Sequence, residues 1–378
     1  MNKSNKTAVM YGAGNIGRGF IGQVFHDSGF EVVFIDINQN IVSALNECKS
    51  YTQLIIDGDK SVKNEITGVR AIDGRNESAI SQEIKECDIM AVSVGAAVLP
   101  HIAPILANGI ALREQTLNIL VCENMAHAPN ELRSSVSGHL SDCSILNKVG
   151  FVGAAIGRMV PVMPDEQRLG DPTLIAVERF CQLPLDGDAI LPPMPKLKHT
   201  TLCSPFTFEE GKKLYIHNMG HALTAYLGFL KGYTFIWQAM DDESVRSLAE
   251  KAMNATADAL AGKYSENRAA LTGYVNNLLS RFANKGLGDT VARVGGDPMR
   301  KLAPGDRLIG AIDLCKEQNI DYSPILSGIN AALQFNAHGD SSASHLRKQL
   351  CNHGVAFLRE YCGLSEADAE KVRMLDKI

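Results

Sequence analysis

Apolar residues follow two regimes along this chain. Up to about residue 160, short apolar runs alternate with stretches of helical periodicity; from Phe208 onward the periodicity is helical almost throughout. In the first regime the pattern predicts strands at Thr7–Tyr11, Glu31–Asp36, near Gly68–Ile72, at Asp88–Val94, from Leu117 to a polar exit at Glu123-Asn124, at Val149–Val152 and at Met159–Met163. Helices are predicted after the glycine-rich turn Gly12–Gly19, and at Asn40–Cys48, Glu77–Lys85 and Pro100–Gly109, with hairpin-like material around Asp57-Gly58-Asp59. From Pro164 to Pro205 the pattern is irregular and carries Pro184, Pro192, Pro193, Pro195 and Pro205, so it reads as a crossover between domains. The second regime predicts helices over Phe208–Leu230, Asp242–Lys263, Glu266–Phe282, Pro304–Lys316, Pro324–Phe335 and Ala343–Leu364. There is no internal repeat or low-complexity tract.

The first turn carries chemistry. An apolar strand runs into Gly12-Ala-Gly14-Asn15-Ile16-Gly17, a helical pattern follows, and a second apolar run ends in Asp36, 19 residues after Gly17. This is the order that a dinucleotide fingerprint requires. Gly12 permits the tight turn, Gly14 lets the backbone approach a pyrophosphate, and Gly17 lets the helix pack on the strand. The helix N-terminus offers unpaired N–H groups at Asn15 and Ile16 and a partial positive charge. Asp36 stands where a carboxylate binds ribose hydroxyls, and Ile37-Asn38-Gln39 supplies no arginine for a 2′-phosphate, which favours NAD over NADP. Val94 and Gly95, at the carboxyl end of a later strand, are expected to face the same cofactor, because ligands bind at strand C-termini in open α/β sheets. Asn124 either projects toward the nicotinamide or caps the helix that follows it. The expected architecture is an α/β Rossmann-type N-terminal domain with its crossover, residues 1–205, followed by an all-α C-terminal domain, residues 206–378, with the site in the cleft between them.

Composition narrows the partners. At 378 residues, 45% hydrophobic and 21% charged, the chain is long enough for two ordinary globular domains. A net charge of −5 argues against nucleic-acid or anionic-membrane partners but leaves room for a local basic pocket. No apolar run approaches a membrane span, and the polar N-terminus lacks the features of a secretory signal, so a cytoplasmic location is expected. Nine cysteines, none in a Cys-x-x-Cys pair, signal neither a metal site nor a redox pair. The expected partner is a small molecule, with the chain a monomer or homodimer.

One further stretch stands out: Lys213-Leu-Tyr-Ile-His-Asn218-Met-Gly-His221. At about 100° per residue, Asn218 and His221 lie roughly 140° and 80° round from Lys213, so all three can look to one side of a helix. Such a side could hold a base and two hydrogen-bonding groups around one substrate oxygen; it could equally be a solvated lysine beside a satisfied histidine. Oxidation of an alcohol by hydride transfer needs a nicotinamide, a proton acceptor and donors for the developing alkoxide. A lysine can be the acceptor when burial or nearby positive charge lowers its pKa.

Lys213-x4-Asn218-x2-His221, followed by Ala-Leu-Thr-Ala-Tyr-Leu-Gly, resembles the signature of the long-chain polyol (mannitol) dehydrogenase family. Gly12–Gly22, Cys122-Glu-Asn124-Met, Arg281-Phe-Ala-Asn284 and Arg300–Leu308 agree with it, and the resemblance runs from about Thr7 to about His338 in order. It implies Lys213 as general base, Asn124 and Asn218 as an oxyanion hole, His221 as a substrate contact, no metal, and NAD(H)-linked interconversion of a polyol or polyol phosphate and its ketose, such as mannitol 1-phosphate and fructose 6-phosphate. Glu210 resembles a carboxylate that some members use to pass the proton to solvent, or is a solvated helix-start acid. Arg293, with Arg158 and Arg300, could bind an anionic substrate or could pair structurally. The chain departs from the family's pattern at Gly153 and at Gly157, where an aspartate touching a polyol hydroxyl is usual. It departs again at Leu183, in place of a tryptophan, and at Gly296, in place of a second arginine. Two other readings remain open: a sugar-acid reductase of the tagaturonate or fructuronate type, and a non-catalytic NAD-binding sensor.

Overall fold

The structure, a computed structural model, describes residues 6–375 apart from Asp59, Ala126 and Leu169. Its contacts divide the chain into two units, Met1–Glu209 and Glu210–Ile378. The first holds strands β1 (Thr7–Tyr11), β2 (Glu31–Asp36), β3 (Ser50–Asp57), β4 (Lys60–Thr67), β5 (Val69–Asp73), β6 (Ile89–Val92), β7 (Leu117–Val121), β8 (Val149–Gly153), β9 (Ile175–Glu178), β10 (Leu183–Asp186) and β11 (Thr200–Cys203).

Six of these form an all-parallel sheet in the order β5-β2-β1-β6-β7-β8. The strand order reverses between β1 and β6, so the carboxyl ends of β1, β2, β6 and β7 form one edge beside the switch point, where open α/β sheets bind ligands. Side chains of β1 alternate between two apolar cores. Ala8 and Met10 pack with Phe20, Val24 and Phe34; Val9 and Tyr11 pack with Ile80, Ile84 and Leu106. Burial on both faces is why these strands read as unbroken apolar runs.

The expected strand at Met159–Met163 is not formed. Pro161 and Pro164 cannot donate to a ladder. Met159 is held instead by Glu178, whose carboxylate accepts its N–H and whose own N–H donates to its carbonyl at 3.3 Å. The proline-bearing crossover is more regular than its composition suggests. β9 pairs parallel to β3, which forms the expected hairpin with β4, and β10 pairs parallel to β11. Asp59, at the hairpin tip, lies outside the described residues.

Two buried arginines lace this unit together. Arg18, 2% exposed, donates from Nε to the Ala13 carbonyl at 2.6 Å and from a terminal nitrogen to the Thr173 carbonyl. Burial holds its pKa down to about 10. Arg158 donates to the carbonyls of Glu178 (3.0 and 2.8 Å) and Gly19 (3.0 Å) and to Gln23 Oε1 (2.7 Å). Its guanidinium is therefore spent on the fold, and the structural reading of Arg158 is the correct one.

The second unit is helical. Phe206–Gly211, which begins in the first unit, Lys212–Asn218 and Met219–Leu230 run on as one rod, but its middle segment is a π-helix. The last segment is apolar and buried almost all round, as a central helix must be. It packs against Glu243–Tyr264, Ser323–Gln334 and Val291–Gly295. Lys213 thus lies within this rod. The helix expected over Ala343–Leu364 is broken into Ser341–His353 and Val355–Glu360 by Gly354, whose φ of 53° ends the first piece.

Candidate active site

Within the first unit, the glycine turn closes on the sheet edge. Gly12 has φ 103°, and a Cβ there would lie 2.2 Å from the Ser93 carbonyl oxygen. A Cβ on Gly17 would lie 1.9 Å from the Gly12 carbonyl oxygen, so the helix and the turn touch backbone to backbone. At Gly14 the same construction meets nothing within 4 Å. Gly14 is exposed, Asn15 and Ile16 are half-buried, and the N–H groups here precede the first full helical turn. Asp36 is held at the end of β2 by accepting from Ala13 N (2.7 Å) and Asn38 N (2.9 Å). An open cradle over Gly14, free helix-start amides and a fixed carboxylate at the next strand end fit a dinucleotide.

Val94 and Gly95 sit at the same edge with their amides engaged. Glu123 Oε1 accepts from Val94 N at 2.7 Å and from Gly95 N at 3.0 Å. Burial pushes the Glu123 carboxyl up, against the lowering effect of the two N–H groups. This tie joins the loop after β6 to the exit of β7, where Asn124 is exposed. Glu123 is hard to single out in the sequence because its partners are nearly thirty positions away; its place directly before Asn124 is the one available signal. Glu123→Ala is expected to leave two amides without an acceptor, to lower stability by about 1–2 kcal/mol and to weaken NADH binding several-fold. Glu123→Gln, which keeps an acceptor oxygen, should restore most of both. Thermal melting and NADH fluorescence titration check this, and equal affinities for wild type and Glu123→Ala would remove Glu123 from the site.

In the second unit, the π-helix brings Lys213 and Asn218 into register. Five residues in an α-helix leave a large angular gap between them, whereas an i→i+5 hydrogen-bonded turn stacks residue i+5 close to one turn above i. Met219 N bonds to the carbonyl of Leu214, five residues back. Lys213 and Asn218 are half-buried on this segment. His221 follows on the regular helix, its ring stacked on Phe282 at 4.6 Å between centroids and 9° between planes. Its Nε2 lies 3.3 Å from Asp289 Oδ2, a charge contact too oblique to count as a full hydrogen bond.

Asp289 is 8% exposed and also accepts from Arg293 Nε at 2.7 Å. Burial alone would raise its pKa, but His221 and Arg293 outweigh that and hold the carboxyl below its usual range. Arg293 therefore steadies Asp289 and, through it, His221; its side chain is still 45% exposed.

His217 is hidden in the sequence because it falls in an apolar run. It is 5% exposed, its Nδ1 has no partner, and its ring lies between His221 (6.2 Å) and Phe282 (5.6 Å). Burial pushes its pKa well below the usual value, and Arg281, His221, Lys213 and Arg307 push further in the same direction. It is a neutral imidazole, with Arg281 and Arg307 among the charges that act on it. Of the departures from the family's pattern, Gly153 has a steric reason, because a Cβ there would lie 2.7 Å from the Phe206 ring. Gly157 has none: a Cβ would meet only Phe180, at 3.5 Å. Gly296 is tight, with backbone oxygens at 3.3 Å and Asp340 Oδ2 at 3.4 Å. Among the described residues, no three His, Cys, Asp or Glu side chains gather as metal ligands, and no helix is long and apolar enough to cross a membrane.

The comparisons agree along the chain. Residues 6–199 match the family described as "Mannitol dehydrogenase Rossmann domain", and residues 206–364 match "Mannitol dehydrogenase C-terminal domain". The mannitol-1-phosphate 5-dehydrogenase of Bacillus velezensis is 36% identical over 365 residues, covering 94% of this chain and 95% of the relative. That of Bacillus subtilis is 34% identical over 379 residues, covering 98% and 99%. In fold, the chain resembles the Pseudomonas fluorescens mannitol 2-dehydrogenase ternary complex with NAD and D-mannitol (TM-score 0.74, 16% identity, 98% of this chain and 92% of that one). It resembles a substrate-free D-sorbitol dehydrogenase equally well (TM-score 0.74, 17% identity, 87% and 80%). With both halves matched in order and relatives above 30% identity over almost the full length, this chain belongs to the mannitol dehydrogenase family.

Proposed function

We propose that this chain interconverts mannitol 1-phosphate and fructose 6-phosphate in the cytoplasm. The protein is a dehydrogenase acting on a CH–OH group, and its cofactor is NAD. The observation that carries the site reading is the π-helix that lines up Lys213 with Asn218, one turn before His221. When bound, NAD supplies a hydride acceptor for oxidation, and NADH a donor for reduction.

Each residue has one task in this reading. Lys213 accepts the proton of the C5 hydroxyl through Nζ as the hydride leaves. The side-chain N–H groups of Asn218 and Asn124 donate to the oxygen as negative charge develops there. His221 keeps its proton on Nε2, toward the Asp289 carboxylate, and accepts from a neighbouring substrate hydroxyl through Nδ1. Neutral His217 adds no positive charge beside Lys213. In the first unit, Gly12, Gly14, Asn15, Ile16 and Gly17 hold the pyrophosphate, Asp36 the adenosine ribose, and Val94 and Gly95 line the path to the nicotinamide. A sugar-acid reductase and a non-catalytic sensor are not favoured, since the named relatives are mannitol-1-phosphate 5-dehydrogenases.

A panel of fructose 6-phosphate, fructose, tagaturonate and fructuronate with NADH, followed by loss of NADH absorbance, tests this. Fructose 6-phosphate is expected to give the highest kcat/KM by at least tenfold. A sugar acid at the top of the panel, or no turnover of any member, would overturn the proposal.

A further inference from the structure

The sequence places no arginine directly after Asp36, yet the fold brings one to the same sheet edge. In the parallel pairing of β2 with β5, Asp36 stands opposite Asp73, so two carboxylates end neighbouring strands side by side. The loops that follow are tied together. Gly74 N donates to the Asp36 carbonyl at 2.9 Å, and a Cβ on Gly74 would lie 2.9 Å from Cγ2 of Ile37. Arg75 comes next, with its side chain 64% exposed.

Arg75 is already engaged. Its Nε donates to Asp73 Oδ1 at 2.9 Å and its Nη2 to Asp73 Oδ2 at 3.0 Å, a two-pronged pair, and its backbone N–H donates to Oδ1 at 3.0 Å. Arg75 first, and Gln39 after it, hold the Asp73 carboxyl below its usual range. Glu77, exposed at the start of the helix Glu77–Glu86, adds a further carboxylate. After burial, Glu77 and Asp36 are the charges that push the Tyr11 hydroxyl, at the end of β1, up to about 12. The charge of Arg75 is thus cancelled by its own neighbour, while Asp36 and Glu77 keep the edge acidic.

We propose that Asp73 is a specificity-determining residue for the dinucleotide: by clamping Arg75, it withholds the cation that a 2′-phosphate needs. The inference rests on the placement of the adenosine ribose at Asp36. A 2′-phosphate carries up to two negative charges. Beside Asp36 it meets a like charge, and beside Asp73 and Arg75 it meets a pair with no net charge. Selection against the phosphate is therefore shared between two strand ends: Asp36 repels it, and Asp73 keeps Arg75 from it. An exposed ion pair contributes little to stability, so substitution can release the clamp without unfolding the edge.

The test is fluorescence titration of the full-length protein with NADH and with NADPH, which reads binding without turnover. Asp36→Ser should weaken NADH roughly tenfold, as a lost charged hydrogen bond does, and leave NADPH weak. Adding Asp73→Asn, which keeps an acceptor for the Arg75 N–H but removes the charge, should tighten NADPH by roughly tenfold or more and leave NADH within about threefold. Adding Arg75→Gln to that pair should take the NADPH gain away. The NADPH Kd of Asp36→Ser/Asp73→Asn should also rise with added NaCl more steeply than its NADH Kd, because the new contact is between exposed charges. Equal NADPH affinity with and without Arg75 in that background, or equal salt slopes, overturns the inference and leaves the ribose at Asp36. If Asp36→Ser binds NADH like the wild type, Asp36 is not the ribose carboxylate and both readings fall. All variants are first checked to melt like the wild type; if the triple variant does not, the salt slopes of the double variant decide.

Discussion

Lys213→Ala is expected to lower kcat for fructose 6-phosphate reduction by roughly 10²–10⁴-fold, the usual contribution of a positioned acid–base group. NADH affinity should hold within about twofold, because the glycine turn and Asp36 belong to the other unit. Lys213→Arg should be as inactive as the alanine variant. Arginine keeps the charge but cannot give up its proton at working pH, so this pair separates a base from a mere cation. Asn218→Ala should also be impaired, by about 10²–10³-fold, as a lost oxyanion donor. Stopped-flow hydride transfer with saturating NADH measures all three. Near-wild-type turnover in Lys213→Ala would end the reading of this residue as the base, and activity in Lys213→Arg would reduce it to an electrostatic contact.

The glycine turn yields the second large effect, and there the two variants should part company. Gly17→Ala drives a methyl to 1.9 Å from the Gly12 carbonyl, and the obstacle is backbone. The turn or the helix must shift, so Gly17→Ala should lose several kcal/mol of stability, as severe overpacking does, together with measurable NADH binding. Gly14→Ala meets no protein atom within 4 Å. That variant should melt within about 1 kcal/mol of the wild type, while its Kd for NADH rises tenfold or more, because its methyl occupies the space over which the pyrophosphate lies. Calorimetry and NADH fluorescence titration on the two proteins decide this. Tight NADH binding by Gly14→Ala would move the cofactor off the turn.

Much of the proposed site can be read from the chain, for identifiable reasons. The glycines and Asp36 are legible because each answers a local steric or electrostatic demand within one strand–turn–helix–strand unit. Lys213, Asn218 and His221 are legible as residue types at a fixed spacing. Their geometry is not, since a helical repeat of about 100° per residue assumes α-turns and the segment is a π-helix. His217 escapes notice because sequence assigns a charge-capable side chain to solvent by default, and only three-dimensional burial reverses that. Arg18 is the same case: it stands in the middle of the glycine motif, yet its partners at residues 172 and 173 are carbonyls from a distant loop. The missing strand at Met159–Met163 fails for a different reason. Its apolar run is real, but two prolines and the Glu178 carboxylate leave it no ladder.

The π-helix at Lys212–Asn218 has a consequence for how this site can change. A turn closed by i→i+5 bonds contains one residue more than an α-turn over the same rise. The alignment of Lys213 with Asn218 is therefore stored in the number of residues between them rather than in any one of their side chains. Substitutions at Leu214, Tyr215, Ile216 or His217 can tune the polarity around the proposed base but cannot move it to another face of the rod. A change of length would move it, which makes this short interval the part of the protein where insertion and deletion are least free.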